Sequence, residues 1–273
     1  MSSTTKPHFP TAYKPIISPE HGVYVVLLVS FLVGVALAQQ WTWESTLALV
    51  CAFSGFQAEH PLVLQIKQRK SWQPRFWFWG GVYGGIAAGI ALYFALTATE
   101  TLLPLLAVYL GAGCALLVDA VAVFRRGQKS ILNEMITFAA VCLVVPFAYI
   151  VTTNSFTPTA IGLWGLCTLY FSGTIFTVKL RKIRKGDSLG NALKRLGIYC
   201  IVALAIIILL YWTNLLPLIP AFAFSVLLLK VFFILIRLSW YRTAPISQIA
   251  SLETTSALTF GIITIVSLLP VTL

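Results

Sequence analysis

Nine apolar stretches follow one another along this chain with only short loops between them. They lie near 23–39, 44–62, 77–97, 102–123, 131–152, 159–178, 195–213, 217–239 and 252–270. A hydrocarbon core of about 30 Å needs roughly 20 apolar residues of helix. The expected fold class is therefore all-α, a polytopic transmembrane bundle of about nine spans. Of the 273 residues, 59% are hydrophobic and only 10% charged, and the spans leave no room for a separate soluble domain. Two parts are expected: a leader over 1–22 and a transmembrane helical domain over 23–273.

The basic residues occupy alternate loops. Lys6 and Lys14 precede the first span, and Lys67, Arg69, Lys70 and Arg75 separate the second from the third. Arg125, Arg126 and Lys129 follow the fourth, the run from Lys179 to Arg195 lies between the sixth and seventh, and Arg237 and Arg242 flank the last turn. The remaining loops, Gln39–Trp43, Thr97–Thr101, Thr152–Thr159 and Thr213–Leu216, hold no Lys or Arg. Short cytoplasmic loops retain positive charge, so the N-terminus is expected in the cytoplasm and the C-terminus outside. The net charge of +11 suits anionic lipid headgroups and calls for no nucleic-acid partner. The run from Lys179 to Arg195 is also a candidate for holding an anionic substrate.

Pro7, Pro10, Pro15 and Pro19 interrupt the first 22 residues, which contain no apolar run. They read as a cytoplasmic leader rather than a cleavable signal peptide. The five cysteines lie within apolar spans, without CxxC or metal spacing, and read as packing residues. No metal site is expected, and no Walker loop, haem motif or zinc spacing occurs; the cofactor, if any, is left open. Gly80, Gly81, Gly84, Gly85 and Gly89 form overlapping GxxxG pairs in the third span. Such residues let helices approach closely in lipid, which points to a tightly packed central helix, with a cavity wall as the alternative. Trp72, Trp77 and Trp79 mark one membrane interface, and Trp41 and Trp43 the other.

Only eight acidic residues occur. Glu44 and Glu100 fall in outer loops and Asp187 in a basic one. Glu20, Glu134 and Glu253 read as first-turn acids of helices begun by Ser18, Ser130, and Ser251 or a neighbour. There the helix dipole favours negative charge by about 0.3–1 kcal/mol. Glu59 and Asp119 differ: each sits near the C-terminal end of its span, where the dipole disfavours it and hydrocarbon is close. Lys230 lies midway along the eighth span, too deep to snorkel, and calls for an anionic partner. Glu59, Asp119, Glu134 or a substrate phosphate are the candidates, and a structural ion pair and a functional site both stay open.

Glu20, His21, Glu59, His60, Asp119, Asn133, Glu134, Lys230, Arg237 and Glu253 all fall on the cytoplasmic half, from six helices. The outer half carries almost nothing comparable. A transporter needs polar sites along its whole path. A polar mouth over an apolar interior better suits an enzyme that modifies lipids.

The run Ser18-Pro19-Glu20-His21-Gly22-Val23-Tyr24 opening the first span resembles the motif that begins YwiC-like bacterial membrane proteins. The stretch Arg125-Arg126, followed by Leu132-Asn133-Glu134-Met135, is also similar. The resemblance implies that His21 and Gly22 are signature residues, with His21 able to titrate near neutral pH or to act as a neutral cap partner. It also implies a bacterial inner (or internal) membrane. The nine-span, N-inside topology is similar to that of UbiA intramembrane prenyltransferases. That resemblance implies a cytoplasm-facing cavity, with acids at the ends of spans two and six holding magnesium against a prenyl diphosphate. Here span two ends Gly55-Phe56-Gln57-Ala58-Glu59-His60-Pro61, with Glu59 alone, and span six ends Phe176-Thr177-Val178-Lys179-Leu180-Arg181, with no acid.

The leading expectation is an intramembrane enzyme of UbiA-like architecture acting on an isoprenoid or other lipid. Glu59, Asp119 and His21 are its candidate catalytic residues. Lys179, Arg181, Lys230, Arg126, Asn133 and Glu134 are the candidates for binding substrate. A non-enzymatic assembly or pigment-binding factor and a small-solute transporter are the alternatives.

Overall fold

The computed structural model describes residues 14–69, 71–181 and 188–270. Residues 1–13 of the leader with Lys6, then Lys70, and Lys182, Arg184, Lys185 and Asp187 of the densest basic run, lie outside the described residues. The described chain runs α1 (His21–Ala38), α2 (Trp43–Gln68), α3 (Pro74–Thr97), α4 (Leu102–Phe124), α5 (Ile131–Cys142), α6 (Val144–Thr153), α7 (Pro158–Arg181), α8 (Leu189–Trp212), α9 (Leu218–Ala223), α10 (Ser225–Ile236), α11 (Leu238–Thr243) and α12 (Ile246–Leu268). Nine candidate membrane spans result among the described residues, with α5 and α6 forming one and α9 and α10 another. The all-α class and the number of spans agree with the sequence reading.

Prolines explain two local features. Pro146 has no N–H for the Cys142 carbonyl and its ring crowds that carbonyl, so the fifth span breaks at Leu143. Pro61 lies inside α2 and likewise leaves the Gln57 carbonyl without its helical donor, yet the helix continues to Gln68. One helix start differs from the sequence reading. The ninth span begins at Ile246 behind Pro245, so Glu253 stands two turns inside α12 and no acid occupies its first turn. Glu253 is therefore not a capping residue.

Side-chain ties separate the two ends of the bundle. At one end Arg75 donates to the Lys14 carbonyl (3.0 Å), Arg69 to the Phe124 carbonyl, and Arg181 to the Ala244 carbonyl (2.7 Å). At the other, Gln39 donates to the Leu268 carbonyl (3.0 Å), Gln40 to the Thr152 carbonyl (3.2 Å), and Thr101 to Asn154 (2.9 Å). The described basic loops thus share one end.

Helices in lipid gain little from apolar burial and rely on close packing. The tightest packing gathers on α7, where Tyr170 stacks on Phe260 of α12 at 3.8 Å between ring centroids. Glycines permit the closest approaches. A Cβ on Gly34 would meet the Val145 carbonyl oxygen at 2.4 Å, one on Gly162 the Leu215 oxygen at 2.0 Å, and one on Gly173 the Leu227 methyls at 2.7 Å. The glycine-rich α3 is not the central helix its pattern suggested. Only Gly80 and Phe94 of it are buried, and a Cβ on Gly81, Gly85 or Gly89 would meet nothing within 4 Å. Its partner is chiefly α2, through Gly80 on Leu62 and Gly84 on Ala58.

Candidate functional site

Side-chain size creates a hollow in the N-terminal part of the bundle. Where α2, α3 and α4 face one another they present short residues, among them Gly55 and Ala58, Gly84 and Ala88, and Ala112 and Gly113. The α2 and α3 residues pack on each other but are too short to fill the space toward α4, and a chamber of about 530 Å³ remains, completed by α1, α5 and α6. That volume lies within the range of small-molecule pockets. Among the described residues, Glu59 and Asp119 are the only charged ones that line it. They share one end, since α2 and α4 both finish there. Tyr109 and Phe147, with rings 6.1 Å apart, mark the other. Ten residues of α4 separate Tyr109 from Asp119, about 15 Å at the helical rise.

Asp119 is fixed from α5. Ser130 caps that helix by accepting from the Asn133 N–H (3.2 Å), and the Asn133 side-chain amide donates to Asp119 Oδ1 (2.7 Å) and to the Gln128 carbonyl (3.2 Å). The carboxylate is 6% exposed, and its other oxygen, Oδ2, is buried with no hydrogen-bond partner. Such an atom is costly to leave unsatisfied. Glu59 stands within hydrogen-bonding reach of Asp119 and within electrostatic reach of Glu20.

The chain entering α1 crosses the same end. The Ser18 N–H donates to Gln57 Oε1 (3.0 Å), Gln57 Nε2 donates to the Tyr24 hydroxyl (2.7 Å), and that hydroxyl donates to the Ser18 carbonyl (3.1 Å). This closed ring holds Ser18 ahead of the helix; α1 begins at His21 and Ser18 does not cap it. Glu20 takes the N-cap position without a side-chain cap bond, which corrects the reading of Glu20 as a first-turn acid. Exposed His21 starts the helix, its ring 6.5 Å from that of Tyr24.

The remaining candidates stand elsewhere. Lys230, nearly fully buried, pairs with Glu253 Oε2 (2.7 Å), an acid the sequence reading had assigned to a helix cap and left out of its partner set. Thr177 donates to the other Glu253 oxygen (3.0 Å), and the Lys230 ammonium lies 5.6 Å from the Tyr170 ring centre. Lys179 pairs with Glu134, which does occupy the first turn of α5 behind the Ser130 cap. Arg181 holds the Ala244 carbonyl, and Arg126 lies exposed in the turn after α4 with φ 59°. None of Lys179, Arg181, Arg126 and Lys230 lines the chamber. The polar residues read from sequence as one mouth form separate groups.

Tyr109 and Thr137 line the chamber, and Gln57 holds the entering chain; sequence reasoning singled out none of them. Gln57 carried a usable signal, an amide inside an apolar span.

The magnesium and diphosphate that a UbiA-like site implies do not fit these residues. Among the described residues no three His, Cys, Asp or Glu converge, and no Lys or Arg lines the chamber to take up diphosphate charge.

Residues 17–149 match the family of YwiC-like proteins. That stretch is similar to YwiC-like proteins, and the described residues hold nine helices long and apolar enough to cross a membrane. No curated protein matches the chain. Every residue lining the chamber, from Leu27 to Phe147, lies inside the YwiC-like region, whereas Lys230 and Glu253 lie outside it.

Proposed function

We propose that the protein takes the tail of an isoprenoid or other membrane lipid into the chamber and holds its polar end at Glu59 and Asp119, as an intramembrane lipid-handling enzyme would. The observation that carries the reading is a long apolar chamber with carboxylates at one end only, one of them bearing an unsatisfied buried oxygen. The basic loops at that end favour a cytoplasm-facing opening in a bacterial inner membrane, by the positive-inside rule. Asn133 orients Asp119, and His21, beside the Tyr24–Gln57 ring, is placed to exchange protons with solvent near the opening. The position of Glu59, late in the second span, supports a UbiA-like arrangement of helices. The chemistry of that family does not come with it, because fold and reaction separate readily.

A pigment-binding or assembly factor would use the same chamber without turnover. Mass spectrometry of an organic extract of the purified protein tests the shared part of both readings. A stoichiometric isoprenoid, quinone, carotenoid or other lipid is expected from the native protein and not from Gly113→Leu, whose side chain would occupy the chamber. Bulk phospholipid alone, in equal amounts from both, would overturn the proposal. Turnover of the bound lipid by native protein, lost in Glu59→Gln, separates enzyme from carrier.

A further inference from the structure

The charge around the chamber narrows what its polar end can hold. Both charged lining groups are acids. Among the described residues no Lys or Arg lines the chamber: at this end of the bundle Lys179 pairs with Glu134, Arg69 donates to the Phe124 carbonyl and Arg75 to the Lys14 carbonyl, while Arg126 lies exposed in the turn after α4. Asp119 is held through Oδ1, which leaves Oδ2 buried without a hydrogen-bond partner. Glu59 approaches within hydrogen-bonding reach. Two carboxylates this close in apolar surroundings need a donor, a proton or a positive charge between them. A phosphate or diphosphate would bring further negative charge to the same place, at a separation where the protein interior screens poorly.

Resting on the lipid-binding reading above, we propose that the Glu59–Asp119 end receives a headgroup that donates hydrogen bonds, an amine or an alcohol, and rejects phosphorylated lipids. An ammonium or hydroxyl there donates to the Glu59–Asp119 carboxylate pair. The tail lies along the alanine and glycine walls toward Tyr109 and Phe147. The prenyl diphosphate implied by a UbiA-like topology is thus the wrong partner for this chamber, although a prenyl tail is not.

Three probes with one tail separate the terms: farnesylamine, farnesol and farnesyl diphosphate, the last with and without magnesium. Binding to the full chain in detergent is measured by calorimetry. The amine and the alcohol are expected to bind at least about tenfold more tightly than the diphosphate, and Asp119→Asn and Glu59→Gln each to weaken the amine by about tenfold or more, the scale of one charge-assisted hydrogen bond. Glu59→Gln keeps the test open should Asp119→Asn fold poorly. Equal or tighter binding of the diphosphate, or unchanged amine affinity in both acid variants, overturns the headgroup assignment. If Gly113→Leu still abolishes binding of all three probes in that case, the lipid chamber stands and only the headgroup inference falls. No binding of any probe to native protein sinks both.

Discussion

Lys230 and Asp119 are both ionisable groups sunk into apolar surroundings, and the two parts of the bundle treat them in opposite ways. Around Lys230 the charge is paired: Glu253 Oε2 lies 2.7 Å away, Thr177 donates to the other carboxylate oxygen, and the ammonium lies over the Tyr170 ring. The helices there interlock through Gly173 and Gly261, each with side chains of a facing helix against it. Around Asp119 one oxygen is satisfied and the other is not, and the neighbouring alanines and glycines enclose space instead of filling it. A closed ion pair serves packing; a half-satisfied acid beside a hollow is what the proposed lipid site rests on. The second arrangement falls within the YwiC-like region and the first outside it.

The comparison breaks most sharply at Lys230. Replacing one member of a buried pair leaves the other uncompensated, typically at about 3–5 kcal/mol. Lys230→Met is expected to lower thermal stability in detergent by that order, and Lys230→Met with Glu253→Gln to recover much of it. Equal loss in the double variant would show that packing, not charge, is at stake. Next comes Gly34→Ala, which drives a methyl onto the Val145 carbonyl and should cost about 1–3 kcal/mol as overpacking. Gly85→Ala on open α3 should change stability by no more than a few tenths of a kcal/mol, or raise it slightly through helix propensity.

On the hollow side the expected effects on stability shrink while those on binding grow. Gly113→Leu should leave the melting temperature unchanged or raise stability by about 0.5–2 kcal/mol, as cavity-filling changes do, yet eliminate a co-purifying lipid. Asp119→Asn should move stability by about 1 kcal/mol or less, because it removes a buried charge as well as an acceptor. A large loss would place Asp119 in the same structural class as Lys230. Tyr24→Phe opens the ring around Ser18 and should cost about 1 kcal/mol. Its mark would be faster amide exchange over residues 14–20, and unchanged exchange there would remove Gln57 and Tyr24 as the anchor of the entering chain.

The spans were legible because lipid imposes a length and a polarity on every crossing, and the shared end of the described basic loops follows the same logic. Glu59 and Asp119 could be found because an acid near the C-terminal end of an apolar helix has no local explanation. Glu253 was missed as the partner of Lys230 for a definite reason. Helix α12 begins behind Pro245 with the polar residues Ser247 and Gln248, which depress hydropathy and make Ser251 look like its start. An acid two turns inside the helix was thereby mistaken for a cap. The chamber was legible only as an alternative. A row of glycine and alanine packs tightly when a ridge stands opposite, as at Gly34, and leaves a void when the facing helix is equally small, as between α2, α3 and α4. One helix's sequence does not say which face it will meet, which is also why α3 was taken for the centre of the bundle when α7 holds that place.

The central claim is that a lipid tail occupies the space between α2, α3 and α4. A farnesol analogue carrying a photoactivated diazirine on its tail, cross-linked to the protein in native membranes and mapped by peptide mass spectrometry, tests it directly. Adducts are expected within 51–59, 84–91 and 108–119, and to be competed by farnesol. Adducts confined to the outward faces of α8 and α10, uncompeted, would contradict the account.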